Sequence, residues 1–395
     1  MRSTTASVSN RYRRYREHEL RSTWGSLRRI RKRHPLGRRE VSLNTVLRLD
    51  ADALLEAALA EGAGASASVL SGCSSLVVDL GPDASLRPFE RQALTRWLFS
   101  QACPVLGISK EGTGHPLACA CDTVVASAED TAELVANIEA APLAALVLVQ
   151  LLRATEGLEV SRALIFESLA YATLQSGAEF LGWLAKSQRP ATVLAGPESG
   201  PAVLLERHGA QLELRLNRPS RRNALSVEMR DALVEALELV ALDPTITGVT
   251  LSGAGKCFSA GGDLGEFGTV PDPAVGHAVR STRSVPALLA RCASRLTFRV
   301  HGAAVGAGAE MVAFGGHVEA SADAFFQLPE IRYGLIPGSG GCVSIPRRIG
   351  RLRTAYLALS ARRLDARTAQ AWGLVDALAE STASAQVMHA CRTAP

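Results

Sequence analysis

Two glutamates twenty residues apart, Glu310 and Glu330, stand in the stretch of this chain best suited to moving protons. Glu310 follows the small-residue loop Gly306-Ala307-Gly308-Ala309 and leads into the apolar run Met311-Val312-Ala313-Phe314. That order reads as a helix start. Glycine lets the backbone approach a ligand closely, and the free N–H groups of a first helical turn carry partial positive charge. Such an end suits an oxyanion. Glu330 follows Pro329 and precedes the turn-rich Gly334-Leu335-Ile336-Pro337-Gly338-Ser339-Gly340-Gly341. Taken singly, these features read as a turn and as a glutamate favoured by the helix dipole. Together they form a constellation for proton transfer alpha and beta to a carbonyl.

The chain around them has 395 residues, 47% of them hydrophobic and 21% charged, which describes a soluble globular protein with room for two domains. No apolar run approaches a membrane span in length. The net charge of +5 is a local matter, because residues 1–40 hold 13 basic side chains against Glu17, Glu19 and Glu40. This tail, with its run Arg28-Arg29-Ile30-Arg31-Lys32-Arg33, reads as a disordered extension, and no nucleic-acid partner is expected. The eight cysteines form no CxxC pairs and have no histidines at zinc spacing. They read as thiols of a reducing cytoplasm, with no metal site.

Three segments are in register with one family. GAGAE, LPE and GLIPGSGG (residues 306–310, 328–330 and 334–341) resemble the active-site region of the enoyl-CoA hydratase/isomerase, or crotonase, family. Upstream, Phe258-Ser259-Ala260-Gly261-Gly262-Asp263-Leu264 resembles that family's FSAGxDL loop, and Asn217-Arg218-Pro219 with Asn223-Ala224-Leu225 resembles its NRP…NAL string. The resemblance implies an acyl-CoA thioester substrate, with coenzyme A entering as part of the substrate and no separate cofactor. It also implies an oxyanion hole made by the backbone N–H groups of Gly262 and Ala307, with Glu310 and Glu330 catalytic. Ala260, Asp263 and Gly338 would border the substrate, and Arg221 or Arg222 would lie near the coenzyme A phosphates. Two departures stand out: Gly315-Gly316 replaces the usual Cys-Asp, and His301, read as a packing histidine, replaces the customary Asn.

The fold class this implies is α/β. Residues 202–395 are expected to form a crotonase-like (ββα) superhelix core, in tandem with a truncated and degenerate crotonase-like unit over residues 41–190. A Pro/Gly linker at 191–201 joins them. The degenerate unit rests on Gly112-Thr113-Gly114 and Ala126-Ser127, which match Gly306-Ala307-Gly308 and Ala320-Ser321 at one offset of 194. At that offset Pro116 and Ala136 replace Glu310 and Glu330, so this unit cannot transfer protons. Beyond Thr131 the periodicity is helical: a segment broken at Pro142, then one longer helix from Leu158 to Lys186. The second half ends soon after Trp372-Gly373-Leu374-Val375-Asp376, where the resemblance calls for terminal helices. The helices from Thr131 to Lys186 are therefore expected to pack on the second half, through Leu164, Leu169, Phe180 and Trp183, and to close its acyl pocket.

Hydration of a 2-enoyl-CoA fits the paired glutamates best, with double-bond isomerisation or another crotonase-type reaction as the alternative. A non-catalytic acyl-CoA-binding or scaffold protein is the rival from a different class. Paired proton-transfer groups argue against a pure binder. A homo-oligomer is expected, as is a cytoplasmic location.

Overall fold

The computed structural model describes residues 45–60, 67–81, 86–187, 200–270 and 272–379. The basic tail over 1–40, nearly all of the 191–201 linker and the chain beyond residue 379 lie outside the described residues. The described residues, all of which lie beyond Ser42, form one unit.

The first half builds a parallel sheet in the order β1 (Thr45–Leu49), β2 (Cys73–Asp79), β3 (Val105–Ile108), β4 (Thr123–Val125). Helices α1 (Ala51–Ala60) and α2 (Pro88–Phe99) connect the early strands. All of β2 except Asp79 is buried, the pattern of an inner strand covered on both faces. Leu54, Leu76, Leu94, Trp97 and Leu98 form a core of their own on one side of this sheet.

Four helices follow: α3 (Ala132–Ala140), α4 (Pro142–Thr155), α5 (Val160–Gln175) and α6 (Ala178–Lys186). Pro142 opens α4, where its missing N–H costs nothing. The single helix expected over 158–186 is instead two, because Gly177 takes an extended conformation after Ser176. The break lets α6 leave the line of α5.

The second half supplies β5 (Val203–His208), β6 (Gln211–Leu216), α7 (Val227–Leu242), β7 (Gly248–Gly253), α8 (Pro273–Thr282), α9 (Val285–Cys292) and β8 (Leu296–Val300). It continues through β9 (Ala303–Val305), α10 (Ala307–Val312), β10 (His317–Ala320), β11 (Phe325–Gln327), α11 (Gly341–Ile349) and α12 (Arg351–Ser360). The last elements are β12 (Leu364–Asp365), α13 (Ala366–Trp372) and β13 (Ala377–Leu378). The main sheet runs β13-β10-β8-β7-β6-β5, parallel except for the β5/β6 hairpin, and a small sheet runs β12-β11-β9. In β6 the residues alternate exposed and buried, so Leu212, Leu214 and Leu216 all point inward. Helix α7, capped by the Ser226 side chain on the Met229 N–H, buries Met229, Leu233, Leu237 and Val240. The offset of 194 carries the start of β4 at Thr123 onto the start of β10 at His317. The preceding segments differ, being 3-10 turns at Gly112–Gly114 and Ala118–Ala120 in the first half and α10 in the second.

One core runs through both halves. Leu148, Leu152 and Phe180 of the helical segment belong to the same buried cluster as Leu214, Leu233, Phe298 and Leu335. Polar ties reinforce it. Asn137 donates to the Leu359 and Ser360 carbonyls, both at 2.9 Å. Buried Arg351 donates to the Cys121 and Cys119 carbonyls at 2.9 and 2.6 Å and pairs with Glu156 at 3.0 Å. Of the four contact residues anticipated in α5 and α6, Phe180 is buried and Leu164 and Trp183 are partly so. Leu169 is not a contact: it is 46% exposed on the outer face of α5. The face of α5 turned inward carries Ala163, Glu167 and Ser168 instead.

Candidate active site

The candidate site is assembled where two loops meet the turn Glu330–Tyr333. The first follows β7 and holds residues 254–263. Asn223 knits it together, donating through its side-chain amide to the carbonyls of Ala254, Cys257 and Phe258 at 2.8–3.1 Å. Its own carbonyl accepts the Ser259 hydroxyl. Half-buried His301 adds a tether from its ring to the Gly255 carbonyl at 3.0 Å. Within the loop Gly261 presents its carbonyl, and Asp263 its N–H, to Leu225. Alternation along the strand then turns the N–H of Gly262 to the opposite side.

The second loop is the start of α10. Gly306, at φ +48°, makes the turn, and Ala307 begins the helix with negative φ, so alanine fits there without strain. As the first helical residue, Ala307 has an N–H with no partner within the helix. The two loops touch. A Cβ on Gly261 would stand 2.7 Å from the Val305 carbonyl oxygen. The N–H groups of Gly262 and Ala307 thus belong to adjoining segments.

Glu310, on the first turn of α10, is buried. Its Oε2 accepts the N–H groups of Ser339 at 2.6 Å and Gly341 at 2.8 Å. Burial pushes its carboxyl up to about 7, with those two donors pulling the other way. Glu330 begins a 3-10 turn, Glu330–Tyr333, and is buried with its Oε2 lacking any hydrogen-bond partner. A Cβ on Gly306 would lie 2.6 Å from Glu330 Oε1, so this carboxyl faces the loop that leads into Ala307. Burial, and then the nearby Glu310, hold Glu330 well above the usual carboxylate range.

Glu310, Glu330, Gly262 and Ala307 therefore come together. The remaining anticipated residues sit farther out. Ala260 donates its N–H to the Arg222 carbonyl at 2.9 Å, and Asp263 caps its own turn at Gly265. Arg221 reaches Asp263 at 3.5 Å, and both Arg221 and Arg222 are exposed at the rim. Gly338 lies under the Tyr171 ring, whose Cδ2 a Cβ there would meet at 2.2 Å. The Gly315-Gly316 departure has a steric reason. A Cβ on Gly315 would meet Phe298 at 2.6 Å, and one on Gly316 the Ala293 carbonyl at 2.5 Å.

The first half contributes two features that the sequence motifs do not contain. The first is Glu167 of α5, buried, accepting the N–H groups of Gly340 at 2.7 Å and Cys342 at 2.9 Å. Burial, and then Glu310, raise its carboxyl well above the usual range. The second is an aromatic wall. Trp183 packs on Tyr333 with centroids 4.8 Å apart and on Phe267 at 6.3 Å, and Phe267 lies against Gly262. A glutamate with Ala163 and Tyr171 one turn to either side was the available sign of Glu167. Among the described residues, no group of three or more His, Cys, Asp or Glu is arranged to hold a metal ion, and no single helix is long and apolar enough to cross a membrane.

Residues 206–394 match the family described as enoyl-CoA hydratase/isomerase. Among curated proteins, the chain is 38% identical to the 1,2-epoxyphenylacetyl-CoA isomerase of Escherichia coli K12, over 42% of this chain and 64% of that protein. It is 35% identical to the 2,3-dehydroadipyl-CoA hydratase of the same organism, over 44% and 67% of the two chains. With the Mycobacterium tuberculosis enoyl-CoA hydratase EchA19 it shares 34% identity over 46% and 70%. The chain thus spans about two thirds of the length of these relatives. Among solved structures, the enoyl-CoA hydratase of Mycobacterium smegmatis superposes with a TM-score of 0.44 and 32% identity, over 49% of this chain and 75% of that one.

Proposed function

The chain belongs to the enoyl-CoA hydratase/isomerase family, and from that premise we propose that it adds water to a 2-enoyl-CoA to give a 3-hydroxyacyl-CoA. The thioester carbonyl would accept the N–H groups of Gly262 and Ala307, each donor stabilising the enolate by about 3 kcal/mol. Glu310 takes a proton from water as the oxygen adds to the beta carbon, and the carbonyl oxygen carries the negative charge of the enolate. Protonated Glu330 then gives its proton to the alpha carbon, which returns the carbonyl. Proton exchange with solvent resets both groups.

The observation that carries this reading is the unequal pair of buried carboxyls. Burial raises both, Glu330 well above the usual range and Glu310 to about 7, an order that suits Glu330 as the acid and Glu310 as the base. The Oε2 of Glu310 is occupied by Ser339 and Gly341, which orients the group. Arg221 and Arg222 at the rim would meet the phosphates of coenzyme A, and the reaction needs no cofactor beyond the coenzyme A of its substrate. Residues 41–190 would act as a degenerate partner unit that walls the acyl site with Trp183.

Isomerisation is the second reading. The unpartnered Oε2 of Glu330 favours it, since moving a double bond chiefly needs one carboxyl to shuttle a proton. Crotonyl-CoA offered to the purified protein separates the readings, with hydration seen as loss of the enoyl thioester absorbance. A panel of 2-enoyl and 3-enoyl thioesters of differing chain length then assigns substrate and reaction. No turnover of any member, despite binding, would leave a non-catalytic acyl-CoA binder.

A further inference from the structure

We propose that Glu167, contributed by helix α5 outside the family-matched region, is a positioning residue for Glu310 that acts through the backbone amides of Ser339 to Cys342. This rests on the hydration reading for its kinetic consequence but not for its structural one.

The four consecutive N–H groups of this segment are divided alternately between two buried carboxyls. Ser339 and Gly341 donate to Glu310 Oε2 at 2.6 and 2.8 Å. Gly340 and Cys342 donate to Glu167 Oε1 and Oε2 at 2.7 and 2.9 Å. A chain whose successive amides point to opposite sides can serve two acceptors only if both are present. Removing one leaves two buried donors unpaired, which the backbone relieves by turning. The segment's other ties run to its own turn and helix: the Gly340 carbonyl accepts the Val343 and Ser344 N–H groups, and the Cys342 thiol donates to the Pro337 carbonyl at 3.4 Å. Gly340 sits at φ +99°, and a Cβ on Gly341 would meet Glu310 Cγ at 2.5 Å, so neither glycine could carry a side chain to brace the turn.

Glu167 is itself held rigidly. Its neighbour Ser168 accepts a hydrogen bond from Arg280 Nε and contacts the His277 ring, both at 2.9 Å, while Arg280 also lies over the Tyr171 ring. Helix α5 is thereby fastened to α8 on one side and to the turn before α11 on the other. Both oxygens of Glu167 accept amides of this segment, and the side chain is buried. Its effect reaches the chemistry by keeping Ser339 and Gly341 aimed at Glu310.

The test pairs two readouts on the full chain. Backbone amide exchange at 339–342 is compared between the unaltered protein and Glu167→Gln, with Glu167→Ala as a second variant and the β6–β7 amides as an internal reference. Exchange at Ser339 and Gly341, which Glu167 does not touch, is expected to rise about tenfold or more while the reference amides hold. Unchanged protection there overturns the proposal. Crotonyl-CoA hydration by the same variants, alone and in the Glu310→Gln background, gives the second readout. Glu167→Gln is expected to lower kcat about tenfold, with KM little changed, and to add nothing once Glu310 is gone. An undiminished further loss in the Glu310→Gln background overturns action through Glu310. If Glu310→Gln alone keeps full hydration, the hydration reading falls, and amide exchange by itself decides the positioning role.

Discussion

Trp183 lies 4.8 Å, centroid to centroid, from Tyr333, a ring contact that links helix α6 of the first half to the turn opened by Glu330. The neighbouring Gly334, at φ +69°, leaves the space that lets α6 approach, since a Cβ there would meet Glu179 and the Phe180 N–H at 2.7 Å. The proposed acid thus sits on a turn whose outer face is packed by residues about 150 positions earlier in the chain.

Phe180 is the buried anchor of that contact. Phe180→Ala should destabilise the protein by about 3–5 kcal/mol, the cost of a buried aromatic side chain and the cavity it leaves. Leu169→Ala, on the exposed face of the adjoining helix, should change stability by less than about 0.5 kcal/mol. Urea unfolding of the two variants checks both figures, and equal effects would refute the assignment of faces.

The paired carboxyls give a kinetic contrast. Glu330→Gln should abolish hydration and isomerisation together while leaving acyl-CoA affinity within a few-fold, because it removes the proton proposed to reach the alpha carbon. Glu310→Gln should reduce hydration more than isomerisation. Wild-type turnover in both variants would end the paired-carboxylate assignment.

The N–H of Ala307, the proposed oxyanion donor, can be removed with little cost to the fold. Ala307 is the first residue of α10, where proline is tolerated and only the N–H is lost. Ala307→Pro should lower kcat by about a hundredfold or more, with an unchanged far-ultraviolet circular dichroism spectrum. A near-normal kcat in a folded variant would exclude this N–H from the reaction.

Glu310 also makes stability depend on pH. Its folded value near 7 lies above the usual 4.5, so the folded state holds the proton more tightly than the unfolded chain. Stability is then fully present below 4.5, falls as pH rises toward 7 and levels off above it. Glu310→Gln keeps one oxygen to accept Ser339 and Gly341 and carries no charge to desolvate. At pH 8 it should be more stable than the unaltered protein by about 1–3 kcal/mol, though impaired in hydration. Denaturant titrations at pH 4.5 and pH 8 check this, with the gain confined to the higher pH.

The residues that were legible in the sequence are those whose partners are close by in the chain. Gly306, Ala307 and Glu310 fall on one turn, and Ser226 caps α7 from the adjacent position. The role of Glu167 was not legible, because its donors Gly340 and Cys342 lie more than 170 residues away and are backbone groups that leave no mark in composition. The same holds for Leu169, whose apolar character suggested burial although the narrow inward stripe of α5 passes through Ala163 and Glu167. The break at Gly177 was hidden for a different reason. One glycine in an apolar helical pattern reads as tolerable until tertiary contacts favour the extended conformation.

The dependence of the second half on the first leads to the last prediction. Residues 191–395 expressed alone would lose Glu167 from the amides of Gly340 and Cys342, Trp183 from Tyr333, Asn137 from the end of α12, and Glu156 from Arg351. They would also expose the apolar surface that Leu148, Leu152 and Phe180 cover in the shared core. Each of the four amide and carbonyl groups left unpaired costs about 1–3 kcal/mol if it remains buried, and native stabilities are only about 5–15 kcal/mol. The fragment should therefore aggregate, or elute as a loose oligomer without hydration activity. Adding residues 41–190 in trans should restore some solubility, because the contacts are between surfaces and do not require the intervening peptide. Size-exclusion chromatography and crotonyl-CoA turnover decide the matter, and a soluble, monomeric and fully active fragment would rule out the dependence.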